Sequence, residues 1–144
     1  MPSHTEHRLV PFKPAQMYQL VADIESYPAF LPWCLEAKIL ERKETEIKAA
    51  LTVGWKILRE KFTSRVLLEP GQKITVEEIA GPFTHLKNEW EFKDHGKGCM
   101  IRFAVDFEFR SVFLQGAMQP LFHQAVQRMV KAFEKRAEEL YAKQ

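Results

Sequence analysis

The sequence predicts an α+β fold in which one curved antiparallel sheet of about seven strands wraps a long C-terminal helix. Three observations carry that expectation. From residue 37 to 109 the apolar side chains recur mostly at every second position, the period of half-buried strands. From 113 to about 141 they recur at three and four, the period of a helix, here about 45 Å long at 1.5 Å per residue. The 144 residues suffice for one domain with its own core and leave little room for a second.

The elements follow in order. An opening strand is expected over 5–10. Pro14 then sits where a first helical turn tolerates proline, and 15–22 continue it with Met17, Leu20, Val21 and Ile24 on one face. Residues 26–35, SYPAFLPWCL, hold Pro28 and Pro32, which forbid a long helix. That stretch reads as a short helix or turn carrying an apolar flap. Strands are expected over 37–42, 47–53, 57–68 and 73–79, with turns at Glu44-Thr45, Gly54, Pro70-Gly71 and Gly81-Pro82. Leu86, Trp90 and Phe92 share the inner face of the next strand, with Lys87, Glu89, Glu91 and Lys93 outside. After the DHGKG hairpin, Ile101, Phe103, Val105, Phe107 and Phe109 point inward, while Arg102, Asp106, Glu108 and Arg110 point outward. Ser111 is the expected N-cap of the last helix and Pro120 its expected kink. Its apolar face reads as Leu114, Ala117, Met118, Leu121, Phe122, Ala125, Met129, Phe133 and Leu140. One helix cannot fill a broad concave sheet, so a cavity is expected between them.

Composition excludes several classes. The chain is 46% hydrophobic and 28% charged with net charge +2, an ordinary globular balance and too little positive charge to argue for DNA. The longest uncharged run, 111–127, is broken by Gln115, Gln119, His123, Gln124 and Gln127, whereas a membrane span needs about 20 mostly apolar residues. The start, MPSHTEHRL, has neither an apolar signal core nor transit-peptide character, so a reducing cytosol is expected. Cys34 and Cys99 form no CxxC and read as two buried thiols. His85, His95 and His123 fall in unrelated contexts, His95 in a solvated hairpin. There is no HExxH, nucleophile elbow or paired-carboxylate motif, so no catalytic residue and no metal site is expected. Arg128, Lys131, Lys135 and Arg136 interleave with Glu134, Glu138 and Glu139, as on a solvated helix face.

Four segments carry a resemblance over nearly the whole chain. VADIESYPAFLPWC (21–34), FTSRVLLEP (62–70), GPFTHLKNEWEF (81–92) and QGAMQPLFHQAVQRMVKAFEKRA (115–137) resemble the coenzyme Q-binding protein and ribosome-association toxin group. That group belongs to the START helix-grip superfamily, also called polyketide cyclase-like or birch-allergen-like. The resemblance implies a single START-like lipid-binding domain over 1–144, with two short helices after the first strand. It implies a cavity for ubiquinone, a late precursor or another polyisoprenoid lipid, held as a ligand and presented for respiration and quinone biosynthesis, with no cofactor and no catalysis. It also implies a cytoplasmic bacterial form acting at the inner face of the cytoplasmic membrane. A second implied function is to bind the large ribosomal subunit and block subunit joining. A weaker third is a cyclase-like enzyme, with Glu60 moving a proton.

Candidate ligand residues follow from the strand alternation. Phe30, Leu31, Pro32 and Trp33 form either a hydrophobic lip that touches membrane or a loop anchored by aromatic plugs. Phe62, Trp90, Phe92, Phe103 and Phe107, facing Met118, Leu121, Phe122 and Met129, either line a tunnel or pack as core. Glu60 and Ser64 fall inward by alternation with Phe62, Val66 and Leu68, and Asn88 falls inward with Leu86 and Trp90. A buried polar group left unpaired costs about 1–3 kcal/mol, so each needs a partner. A quinone carbonyl suits the Ser64 hydroxyl or the Asn88 amide. Glu60 suits it only when protonated, and a register slip or pairing with Arg59 or Arg65 is the better account of it.

Overall fold

The computed structural model describes residues 3–31, 33–55 and 58–141. Pro32 of the flap and Ile57, the expected start of a strand, lie outside the described residues. The elements are β1 (Ser3–Val10), α1 (Pro14–Ala22), a 3-10 turn (Ile24–Ala29), β2 (Cys34–Arg42), β3 (Glu46–Trp55), β4 (Leu58–Glu69), β5 (Lys73–Ala80), β6 (Phe83–His95) and β7 (Gly98–Phe109), then α2 (Val112–Met118), a second 3-10 turn (Gln119–Leu121) and α3 (Phe122–Tyr141). The architecture is the expected one: a seven-stranded sheet, wholly antiparallel, in the order β1-β7-β6-β5-β4-β3-β2. Consecutive strands from β2 to β7 are hairpin neighbours. Only β1 is displaced in sequence, because α1 and the first 3-10 turn carry the chain from one sheet edge to the other.

Local chemistry sets the boundaries. Pro14 opens α1, where its missing N–H costs nothing. The turns at Gly71 (φ 75°) and Gly96 (φ 63°) use the left-handed region that glycine enters freely. Ser111 Oγ accepts from the Leu114 N–H (3.2 Å) and caps α2. Pro120 then breaks the terminal helix into α2 and α3 through a 3-10 turn.

The core lies between the sheet's concave face and the helices. Along β7, Ile101, Phe103, Val105, Phe107 and Phe109 are all buried, as their alternation requires. From α1 come Met17, Leu20 and Val21. The stripe that α3 buries is Phe122, Val126, Val130, Phe133 and Ala137. This corrects the expected face: Val126 and Val130 belong on it, Ala125 and Met129 flank it half-buried, and Leu140 on the last turn is exposed. α2 buries no residue, and Val112 and Phe113 at its tip are 88% and 70% exposed.

Gly81 (φ 152°) shows how tightly a turn abuts the inner face. A Cβ there would come within 2.5 Å of the Phe62 Cβ. Gly81→Ala is expected to destabilise the fold by about 1–3 kcal/mol, read as a lower thermal midpoint, since both backbone strain and the clash oppose it.

Candidate ligand-binding cavity

Where α3 leaves the sheet uncovered there is a cavity of about 200 Å3, open to solvent along one side. The sheet supplies Val53 of β3, Phe62 of β4, Phe83 and Leu86 of β6, and Phe107 and Phe109 of β7. Met118 of α2 and Phe122, Ala125, Val126 and Met129 of α3 form the opposite wall, and Trp33 closes the flank. Every lining side chain is apolar or aromatic, and none carries a carboxyl, amine or imidazole that could act as acid or base.

The rings make an ordered wall. Phe83 stacks on Phe109 at 4.6 Å between centroids and meets Phe62 edge-on at 5.6 Å. Phe107 sits 4.6 Å from Phe122, linking sheet to helix. Such edge-to-face and offset arrangements leave ring faces available to a planar guest. Phe83 reaches this wall through an irregularity, since the β6–β7 register shifts between Phe83 and His85. Glu78 then accepts from the Phe83 N–H (3.0 Å), holding the start of β6.

Of the residues singled out from sequence, Trp33, Phe62, Phe107, Met118, Phe122 and Met129 line this cavity. Trp90 and Phe103 do not. They pack with Phe133 in the closed part of the core, at centroid distances of 4.6 Å (Trp90–Phe103) and 5.0 Å (Trp90–Phe133). Leu31 is buried core, and Phe30 lies edge-on to Phe133 at 5.2 Å, with the Arg136 guanidinium 5.5 Å from its ring centre. Leu121 is half-buried on the second 3-10 turn and outside the lining. Asn88 donates to the Ala104 carbonyl (3.2 Å) and does not line the cavity. Glu60, opposite Val53 in register, is half-buried, while Arg65 pairs with Glu46 at 3.9 Å. Ser64 is fully buried and lines a separate, smaller cavity.

Sequence reasoning missed Val53, Phe83, Leu86, Phe109, Ala125 and Val126 as lining residues. Alternation had already put Leu86 and Phe109 on inner faces, so the signal for those two was in hand; Phe83 was hidden by the adjacent Gly81-Pro82 turn.

Other titratable groups lie apart from the cavity. Burial holds the Tyr27 hydroxyl far above its usual range, and it donates to the Val21 carbonyl. Burial also pushes the Cys34 and Cys99 thiols up to about 11, and both are free. His123 meets His4 of β1, Nδ1 to Nδ1 at 2.9 Å, a pairing across 119 residues with no local sequence signal. Among the described residues, no three His, Cys, Asp or Glu side chains gather as a metal site, and no helix is long and apolar enough to cross a membrane.

Comparison with known proteins places this architecture. Residues 10–134 match the family model described as polyketide cyclase / dehydrase and lipid transport. The chain belongs to that family. The chain is 40% identical over 134 residues to the ribosome association toxin RatA of Pseudomonas aeruginosa, covering 92% of this chain and 93% of that one. It is 33% identical over 146 residues to the mitochondrial coenzyme Q-binding protein COQ10 homolog B of Xenopus laevis, covering 98% of this chain and 60% of that one. A START superfamily protein from Mycobacterium smegmatis shares the fold with a TM-score of 0.83 at 19% identity, covering 96% and 98% of the two chains. The resemblance read from the four sequence segments therefore holds at the level of family and fold.

The thiol environment gives a direct check on the packing. At pH 8 a thiol with a pKa near 11 is almost wholly neutral, so Cys34 and Cys99 are expected to react with iodoacetamide on the order of a hundredfold more slowly in the folded protein than in urea, by mass spectrometry.

Proposed function

We propose that the chain binds a ring-bearing apolar lipid, ubiquinone or a late precursor of it, and carries it to respiratory or biosynthetic enzymes without itself catalysing a reaction. The observation that carries this reading is the cavity of about 200 Å3 with a wholly apolar, largely aromatic wall. Burying a guest there contributes about 2.5 kcal/mol for each 100 Å2 of apolar surface removed from water. An engineered cavity of about 150 Å3 takes a benzene-sized guest, so this one suits a substituted ring with its first few tail carbons. A long isoprenoid tail has to leave by the open side or displace α2, which has no fully buried residue and is tied to β7 by the Gln115 side chain accepting from the Phe109 N–H (2.8 Å). The family's description as lipid transport and the relative named for coenzyme Q binding support the ligand class. The absence of any acid or base among the lining residues supports carriage over cyclase chemistry.

A second reading has its own support. The relative that is 40% identical is named a ribosome association toxin, and α3 presents Arg128, Lys131 and Lys135 as exposed cations on its outer face. Association with the large ribosomal subunit through that face would weaken steeply with salt, as phosphate contacts do.

The test is solvent extraction of the purified protein followed by mass spectrometry, with ubiquinone titrated into the stripped chain. Quinone is expected near one equivalent per chain. Ala125→Trp, which fills the cavity from α3, is expected to lower quinone affinity at least about tenfold while costing about 1–3 kcal/mol of stability by overpacking. An empty extract, no response to added quinone and co-sedimentation with the large subunit would together favour the second reading.

A further inference from the structure

Among the described residues Ser64 is the one polar side chain that is completely buried, and its Oγ has no hydrogen-bond partner. It faces a second cavity of about 30 Å3, walled by Ile24, Leu51, Val66 and Ile74 among others. The only other side-chain polar group there is the Tyr27 hydroxyl, already committed to the Val21 carbonyl. A register shift between Thr63 and Ser64 in the β4–β5 pairing sets the residue's aim, as bulges beside binding sites commonly do.

The small cavity adjoins the large one. Phe62 lines the large cavity, and Leu51, its register partner on β3, lines the small one. Ser64 is the next inward residue after Phe62 along β4, about 7 Å further at strand spacing. One rung of the sheet, Leu51–Phe62, therefore lies between the two spaces.

We propose that Ser64 is the polar anchor of the ligand site, donating its hydroxyl hydrogen to a single carbonyl oxygen of a quinone or ketone whose apolar body lies in the large cavity. This rests on the reading of the large cavity as a ligand site. A trapped water would find only the Ser64 hydroxyl and the Tyr27 oxygen as side-chain partners in this wall, the fewest that a buried water keeps. A ligand oxygen is held in place by its own covalent frame and needs only the Ser64 donor. The unpaired hydroxyl is a desolvation cost in the empty protein, and that cost is removed when the carbonyl arrives.

The experiment compares wild type and Ser64→Ala with two probes of nearly equal shape, 2-methyl-1,4-naphthoquinone and 2-methylnaphthalene, by calorimetric titration. Only the first carries carbonyl oxygens. Ser64→Ala is expected to weaken quinone binding about fivefold and to leave hydrocarbon binding within about twofold. The thermal midpoint of the empty variant is expected to equal or exceed that of wild type, because an orphaned donor has been removed. Unchanged quinone affinity, or equal loss of both probes, would overturn the anchor while leaving the cavity as a ligand site. Failure of wild type to bind either probe would overturn the cavity reading and the anchor together.

Discussion

A single helix covers only part of a seven-stranded concave sheet, and the rest of that inner face must be covered by side chains, by the α2 arm or by a guest. Most of what is specific to this protein follows from that mismatch. The break at Pro120 divides the terminal helix into a long α3, which buries a continuous stripe, and a short α2, which buries nothing. Met118 before the break and Phe122, Ala125, Val126 and Met129 after it all line the apolar space.

The aromatic residues divide into two sets by where they fall relative to that break. Trp90, Phe103 and Phe133 interlock in the closed part of the core, reinforced by Tyr27 and Phe30 against Phe133. Phe62, Phe83, Phe107, Phe109 and Phe122 make the wall of the open part. Both sets are alike in composition and in strand parity. What separates them is whether a ring borders the cavity or is enclosed by other rings of the core. The same contrast isolates Ser64, a hydroxyl on a face that is otherwise carbon.

The fold was legible because its signals are local. Alternation along β7, the Ser111 cap, the Pro14 opening and the Pro120 break each depend on residues within one element or turn, and each lies where the sequence puts it. The candidate site was legible only in part. Strand parity tells which face a side chain takes but not how far along the helix it meets, so Trp90 and Phe103 were grouped with Phe107 although a different turn of α3 faces them. Phe83 was not readable because a register shift follows it, and the α3 stripe was misplaced because Ala125 and Met129 flank the buried line rather than lie on it. Asn88 had the right parity, but its amide donates to the neighbouring strand's Ala104 carbonyl.

The central claim is that an apolar ring occupies the space between β6–β7 and the start of α3. Methyl-labelled NMR tests it most directly, because two methionines line the cavity and a third, Met17, is wholly buried on the inner face of α1 and does not. With a short-tailed ubiquinone added, contacts from the ring's methyl and methoxy protons to the Met118 and Met129 methyls are predicted, with Met17 unaffected. Contacts confined to surface residues, or none at saturating quinone, would contradict the account.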